Sequence, residues 1–291
     1  MKTHCTILDG KKTANDIKKQ LKRDIDSVDW TPGLGIILVG DRPDSHAYVR
    51  MKRNACKSVG IRDYDVLLPE DTTEEKIISV VRDMNRSEHI DGILIQLPLP
   101  KHIDEGRVLS EVALNKDVDG FHMSSMGSLA LNRMHDTFAP CTPDGCIEML
   151  KRYDIDISGK DAVVVGRSNI VGLPLSLLLL HNNATVTVCH SRTEDLKSHT
   201  RRADILIAAC GSKGLITVEH VKPGAVVIDV GIHKVPSKNK RGYTFVGDTL
   251  YDEVKSRASY ITPVPGGVGP MTIAMLLKHT YEASCRNHAK V

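Results

Sequence analysis

Residues 161–180 constrain this chain more than any other stretch. Residues 162–165 are an apolar run of the length of a buried strand; it breaks at Gly166-Arg167-Ser168-Asn169-Ile170-Val171-Gly172, and helical character resumes from Pro174 to Leu180. Strand, glycine turn and helix in that order make a βα unit. The free N–H groups of the helix's first turn, at the positive end of its dipole, can hold a phosphate in the crevice beyond the strand. The loop is G-x-S-x-x-x-G and lacks the three-glycine dinucleotide fingerprint. Two readings therefore stand: a nucleotide-binding unit, or a tight βα turn that binds nothing.

Downstream, residues 184–189, 205–209, 226–230 and 260–262 read as strands alternating with helices, which predicts a parallel, doubly wound sheet. The first half is α/β too, with strands at 34–39, 64–68 and 92–97. Between them, Ser45 is placed to cap a helix running to Val59, and Thr72 with Glu75 forms a capping box for a helix through Met84. Thr142 and Pro143 read as the N-cap and first position of another helix, and the domain boundary is expected there. Residues 1–142 and 143–270 are thus expected as two domains, with a last helix over 271–291 after the Gly/Pro-rich residues 263–270.

A chain of 291 residues suits two domains of ordinary size. The net charge of +3 is too small to imply nucleic acid, and no basic run is interleaved with aromatics. Seven cysteines without a C-x-x-C pair suggest neither a disulfide framework nor a zinc ribbon, and point to a reducing compartment. The histidines and cysteines show no ligand spacing, so no metal is assigned. No apolar signal core follows Met1, and no run reaches the roughly 18 apolar residues of a membrane span, so a cytoplasmic protein is expected.

The strand expected after the glycine turn ends Cys189-His190-Ser191-Arg192, without the acid that an NAD ribose would use. Arg167 and Arg192, with the Ser191 hydroxyl, would suit a 2′-phosphate instead; solvated arginines on loops are the plain alternative. Tyr48 and Lys52 share one helix face with Ala55, Cys56 and Val59, so a lysine sits on an inward stripe. A Y-x-x-x-K pair also serves short-chain dehydrogenases, but there it follows the nucleotide loop, whereas here it precedes Gly166 by more than a hundred residues. A lysine snorkelling past a tyrosine would look the same. Gln96 stands at a strand's carboxyl end, where open α/β sheets bind ligands.

Taken in order, Asp44-Ser45 through Tyr48-x-x-x-Lys52, Gln96-Leu97-Pro98, Asp117-Val118-Asp119-Gly120, Pro140-Cys141-Thr142-Pro143, Gly166-Arg167-Ser168 through Pro174, and residues 263–272 (PVPGGVGPMT) span nearly the whole chain. Together they resemble the bifunctional methylenetetrahydrofolate dehydrogenase/methenyltetrahydrofolate cyclohydrolase (FolD) family. The resemblance implies two α/β domains flanking a cleft, the second Rossmann-like, with the C-terminal helix packing back on the first. It implies NADP-dependent oxidation of 5,10-methylenetetrahydrofolate to the methenyl form and hydrolysis to 10-formyltetrahydrofolate. By the family's pattern Lys52 is the base, Gln96 its tuning partner, Tyr48 a folate contact and Asp119 the pterin clamp, the catalytic set. Leu97, Pro265, Gly266 and Gly267 would border the folate. Gly166, Arg167, Ser168, Ser191, Arg192, Ile232 and Thr272 would hold NADP. A homodimer is also implied, and a formyltetrahydrofolate synthetase domain is not expected, since no G-x-x-x-x-G-K-[ST] loop occurs. The competing expectations are another two-domain NADP-dependent dehydrogenase, acting on an amino or hydroxy acid, and a non-catalytic NADP-binding sensor.

Overall fold

The computed structural model describes residues 5–239 and 242–289. The N-terminal tetrapeptide that begins the expected leaderless start, and residues 290–291 of the expected last helix, lie outside the described residues. In chain order the elements are β1 (Thr6–Ile7), α1 (Gly10–Asp26), β2 (Gly33–Val39), α2 (Pro43–Val59), β3 (Arg62–Leu68), α3 (Glu74–Arg86), β4 (Gly92–Ile95), α4 (Glu105–Ser110), α5 (Met123–Ala130) and α6 (Cys141–Arg152). They continue with β5 (Asp161–Val165), α7 (Gly172–His181), β6 (Thr185–Cys189), α8 (Leu196–Thr200), β7 (Ile205–Ala208), β8 (Val226–Asp229), β9 (His233–Pro236), β10 (Tyr243–Val246), α9 (Tyr251–Lys255), β11 (Tyr260–Ile261) and α10 (Val268–His288).

The chain forms two compact units. One holds residues 15–141 and 273–289, around a parallel three-stranded sheet in the order β3-β2-β4. Its central strand, GLGIILV, is buried along its whole length, as a parallel strand covered on both faces must be. β3 is an edge strand with the sequence RDYDVLL, and its Asp63 and Asp65 both reach the Arg53 guanidinium, at 2.9 and 2.7 Å. Ile77, Val81 and Met84 on α3 pack against Ile37, Ile93 and Ile95 of the sheet. Burying each of the large aliphatic side chains contributes about 1.5–3 kcal/mol. The distal part of α10 belongs to this unit: the Trp30 indole donates to Ser284 Oγ at 3.2 Å and stacks on His288 at 4.5 Å.

The other unit holds residues 5–14 and 142–272, around a six-stranded sheet in the order β1-β11-β8-β7-β5-β6, parallel throughout. From β5 the chain steps outward to β6, then returns past β5 to β7. Winding thus reverses between β5 and β7, and the crevice at their carboxyl ends is the switch point at which such sheets bind ligands. The antiparallel pair of β9 and β10 stands as a separate two-stranded ribbon.

Several expectations are corrected. Residues 5–14 group with the six-stranded sheet and not with the first half: β1 pairs with β11, and the Lys11 N–H donates to the Gly266 carbonyl at 2.9 Å. A two-residue strand is too short to show a period in sequence. The helix expected from Ser45 begins at Pro43, which has no N–H to leave unpaired. Thr73, not Thr72, caps α3, accepting from the Lys76 N–H. α6 begins at Cys141, so Thr142 and Pro143 lie inside its first turn, and α10 takes in Val268, Gly269 and Pro270, where a proline in the first turn forfeits no helical bond.

Lys116, buried in the turn that carries the Asp-Val-Asp-Gly motif, donates through Nζ to the carbonyls of Met84, Asn85 and Ser87 at 3.2, 2.8 and 2.7 Å. It ties that turn to the end of α3. Replacing it by methionine leaves carbonyls of α3 without this donor. The Lys116→Met variant is expected to lose about 1.5–3 kcal/mol of stability, read as a lower urea midpoint at unchanged m-value.

Candidate active site

In the unit built on the three-stranded sheet, α2 carries Tyr48 and Lys52 one turn apart, and β4 delivers Gln96 directly after its last residue. The Lys52 ammonium donates to Gln96 Oε1 at 3.0 Å. The other end of that amide is fixed as well, since Gln96 Nε2 donates to the Leu97 carbonyl at 2.8 Å. An amide committed this way presents only its oxygen to the lysine, and adds no charge. Leu97–Pro98 is a cis peptide bond, as is Val264–Pro265.

Dense packing around Lys52 lowers its pKa below the ordinary lysine value, by desolvation first; the nearby Asp119 carboxylate opposes the shift. Burial likewise raises the Asp119 pKa from its ordinary value, against the pull of Lys52. Each group is thus moved toward its neutral form, and each restrains the other. The Cys141 side chain hydrogen-bonds Asp119. Tyr48 is partly exposed at the rim, its phenol pKa raised by burial and by Asp44.

Asp117 and Asp119 have separate tasks. Asp117 is buried and accepts from the Phe121 and His122 N–H groups at 3.2 and 3.0 Å and from Ser125 Oγ at 2.6 Å. It is the Asx-type turn residue that fixes the start of α5. Asp119, two residues on, is left to face Lys52.

In the other unit, Gly166 ends β5 at φ +130°, and a Cβ there would meet the Ala209 carbonyl oxygen at 2.0 Å. Only glycine lets the turn close on the end of β7. The expectation of free N–H groups at the first turn of α7 is corrected. Ser168 Oγ accepts from the Val171 and Gly172 N–H groups at 3.2 and 3.4 Å, the Ser168 carbonyl takes the Leu173 N–H at 3.0 Å, and Pro174 has none. The N-cap position of α7 is Val171, which offers no side-chain acceptor, and Ser168, three residues earlier, takes the N–H groups that lead into the helix.

Arg167 follows β5, Ser191 and Arg192 follow β6, and Ile232 follows β8; all four are exposed, Ile232 by 52%, at the carboxyl end of the same sheet. Thr272 is engaged elsewhere, its hydroxyl 2.9 Å from Thr142 Oγ1. Gly267 serves the backbone: its carbonyl oxygen lies 1.8 Å from where a Cβ of Gly10 would stand, so residues 10 and 267 pack chain on chain. Pro265 and Gly266 belong to the same loop, Pro265 exposed and Gly266 at φ +108°.

Residues outside the sequence reading complete the unit built on the six-stranded sheet. Asp229 accepts from the N–H groups of Gly231, Asp248 and Thr249 and from the Thr249 hydroxyl, all between 2.7 and 2.9 Å. Asp248 accepts from the Cys210 and Gly211 N–H groups at 2.8 and 2.9 Å and meets His233 Nε2 at 2.7 Å. These carboxylates lace the loops after β7 and β8 together. The only sequence signal was an acid ending an apolar run, as in Val226-Val227-Ile228-Asp229. Among the described residues no group of three His, Cys, Asp or Glu is placed to hold a metal, and no helix is long and apolar enough to cross a membrane.

Residues 8–119 match the model of the tetrahydrofolate dehydrogenase/cyclohydrolase catalytic domain, and residues 140–288 that of the NAD(P)-binding domain of the same family. The bifunctional protein FolD of Nautilia profundicola is 52% identical over 288 residues, covering 98% of this chain and 99% of that one. Bifunctional protein FolD 4, chloroplastic, of Arabidopsis thaliana is 50% identical over 287 residues, 97% of this chain and 80% of its own. The crystal structure of the bifunctional FolD of Campylobacter jejuni superposes with a TM-score of 0.92 at 44% identity, covering 97% of this chain and 99% of the other. FolD of Trypanosoma brucei, solved with NADP cofactor and an inhibitor, gives 0.92 at 40% identity over 97% and 98%. The chain belongs to the tetrahydrofolate dehydrogenase/cyclohydrolase family, the bifunctional FolD enzymes that oxidise methylenetetrahydrofolate and hydrolyse the methenyl product.

Proposed function

We propose that Lys52 is the base of the cyclohydrolase step, and the observation that carries this is its donation to Gln96 Oε1 from a desolvated position. Hydrolysis of the methenyl cation adds water to the one-carbon bridge and releases a proton. A lysine whose pKa is lowered by burial offers a neutral amine nearer physiological pH and can accept that proton. Gln96 holds the amine in place without a charge that would keep it protonated. Asp119 clamps the pterin, whose 2-amino-4-oxo edge presents adjacent N–H donors to one carboxylate, and Tyr48 and Leu97 flank the folate ring.

NADP supplies the hydride acceptor when bound. The chain's own part is to hold it: Gly166 lets backbone come close, and a Cβ there would fill the turn. Arg167, Ser191 and Arg192 stand exposed at the same sheet end, where guanidinium forks and a hydroxyl suit a 2′-phosphate. Ile232 packs beside the nicotinamide side, and Pro265, Gly266, Gly267 and Thr272 lie in and after the loop that follows β11. The division of labour proposed is folate on the unit of residues 15–141 and 273–289, and NADP on the other.

A homodimer accords with the apolar outer face of the second unit. On α7, Leu173 and Leu180 are 42% and 53% exposed, Ile170 just before it 47%, and neighbouring β6 is a sheet edge with Val188 at its surface. Unpaired edges and apolar faces of this kind are covered in stable proteins, and a second copy of the same chain would cover this one. Seven cysteines without a C-x-x-C pair fit a reducing compartment, the cytoplasm.

The Lys52→Met variant is expected to lose cyclohydrolase activity by about 10²–10⁴-fold, assayed as decay of methenyltetrahydrofolate absorbance. In the unsubstituted enzyme the hydrolytic rate should rise with pH, with an inflection below the ordinary lysine value, because the lowered pKa releases the base earlier; a flat profile would remove Lys52 from the step. Arg167→Ala should weaken NADP by roughly 10- to 150-fold, the worth of one charged hydrogen bond of about 1.5–3 kcal/mol, and NAD hardly at all, measured by titration of each nucleotide. Leu180→Glu should convert a dimer to a monomer in sedimentation equilibrium with unchanged circular dichroism; a monomeric parent protein would overturn the dimer.

A further inference from the structure

The carbonyl of the peptide bond that joins Val118 to Asp119 is gripped from behind. His279 Nδ1, on α10, lies 3.0 Å from the Val118 oxygen, and the Cys141 thiol donates to the same oxygen at 3.3 Å. A carbonyl only accepts, so at this contact His279 carries its proton on Nδ1. The same Nδ1 is 3.6 Å from Cys141 Sγ, and the one Cys141 S–H proton is shared between the Val118 oxygen and the Asp119 carboxyl. His279 is itself firmly seated. It is 3% exposed and stacks on Phe138 with ring centroids 4.8 Å apart and planes 24° from parallel, while the Arg286 guanidinium lies 4.3 Å from the Phe138 ring. Gly120, next after Asp119, sits at φ +73° against the Phe138 and Ala139 backbone, so the chain on the far side of Asp119 is equally constrained.

No step of the chemistry described above uses this histidine, and a donor of that kind has a consequence for the residue it adjoins. A rotation of the Val118–Asp119 peptide plane swings the Asp119 side chain bodily, and two hydrogen bonds to one carbonyl oxygen oppose that rotation. We infer that His279 is a positioning residue for Asp119: its Nδ1–H fixes the Val118 carbonyl, and its ring backs the Cys141 thiol, so that the carboxylate is held in the direction from which it grips the pterin. The inference rests on the reading of Asp119 as the pterin clamp. It concerns folate affinity alone, and predicts no effect on nucleotide affinity.

The test compares the full-length variants His279→Leu, His279→Asn and Asp119→Asn, singly and with Asp119→Asn combined with His279→Leu, in both assays. His279→Leu keeps volume and removes the donor; it is expected to raise the KM for methylenetetrahydrofolate and for the methenyl substrate about tenfold, with the KM for NADP within about twofold. His279→Asn, whose side-chain amide can donate to the same carbonyl, should recover most of the loss. In the Asp119→Asn background His279→Leu should add less than about twofold, because both act through one carboxylate. If Asp119→Asn raises the folate KM while His279→Leu does not, the positioning role is overturned and the clamp stands. If Asp119→Asn leaves the folate KM unchanged, the clamp fails and takes the inference with it. A His279→Leu enzyme in which folate and NADP constants worsen together, unrescued by asparagine, would show a merely structural histidine. Should the leucine variant not fold, His279→Gln, which displaces the donor by one methylene, must raise the folate KM selectively, and an unchanged value overturns the inference.

Discussion

A positively charged amine taken out of water is costly, and among the described residues the direct hydrogen-bond partner of Lys52 is the neutral oxygen of Gln96. The balance is what makes the site useful. A carboxylate in hydrogen-bond contact would have locked the lysine in its ammonium form, whereas an amide leaves desolvation as the dominant influence. Asp119 is felt electrostatically, enough to limit the shift and not enough to reverse it. Everything near the amine serves this arrangement: β4 ends where Gln96 must stand, the Leu97 carbonyl turns its amide, and the Asp-Val-Asp-Gly turn brings Asp119 within range.

Carboxylates elsewhere show how the fold separates structure from chemistry. Asp117, Asp229 and Asp248 are buried and spend their oxygens on backbone N–H groups of turns at the ends of strands and helices. Backbone donors in such turns have no ladder to join, so an acid side chain supplies the missing acceptor. Asp91 does the same for Gly33 while taking the Asn287 amide. Asp119 departs from the pattern, since it is surrounded by Lys52, Cys141 and His279 side chains and not consumed by a turn. Lys116 is the cationic counterpart, buried and yet wholly occupied with carbonyls at the end of α3.

Long elements were legible from pattern alone. The continuous apolar runs of β2, β5, β7 and β8 and the helices between them announce parallel sheets, because a strand covered on both faces has no polar side to show. Tyr48, Lys52, Gln96 and Asp119 could be picked out because ordered motifs spanning the chain resemble one family. The Asp229 and Asp248 clasp, the Cys141 and His279 contacts behind Asp119, and the ribbon of β9 and β10 gave no such signal. A buried acid and an exposed one look alike in sequence, and a histidine on α10 has no local relation to a turn that lies 161 residues earlier.

The amino-acid sequence by itself determined the α/β class, the strand–glycine turn–helix unit and the ordered motifs that resemble one family, because these depend on residue type and on spacing along the chain. Only the tertiary structure decided which partner each side chain in those motifs has. It assigned residues 5–14 to the six-stranded sheet, gave Ser168 the N–H groups that lead into α7 and set Asp117 and Asp119 in different surroundings. Hydrogen bonds and desolvation act over a few ångströms in space, and what lies within that distance is fixed by how distant segments pack.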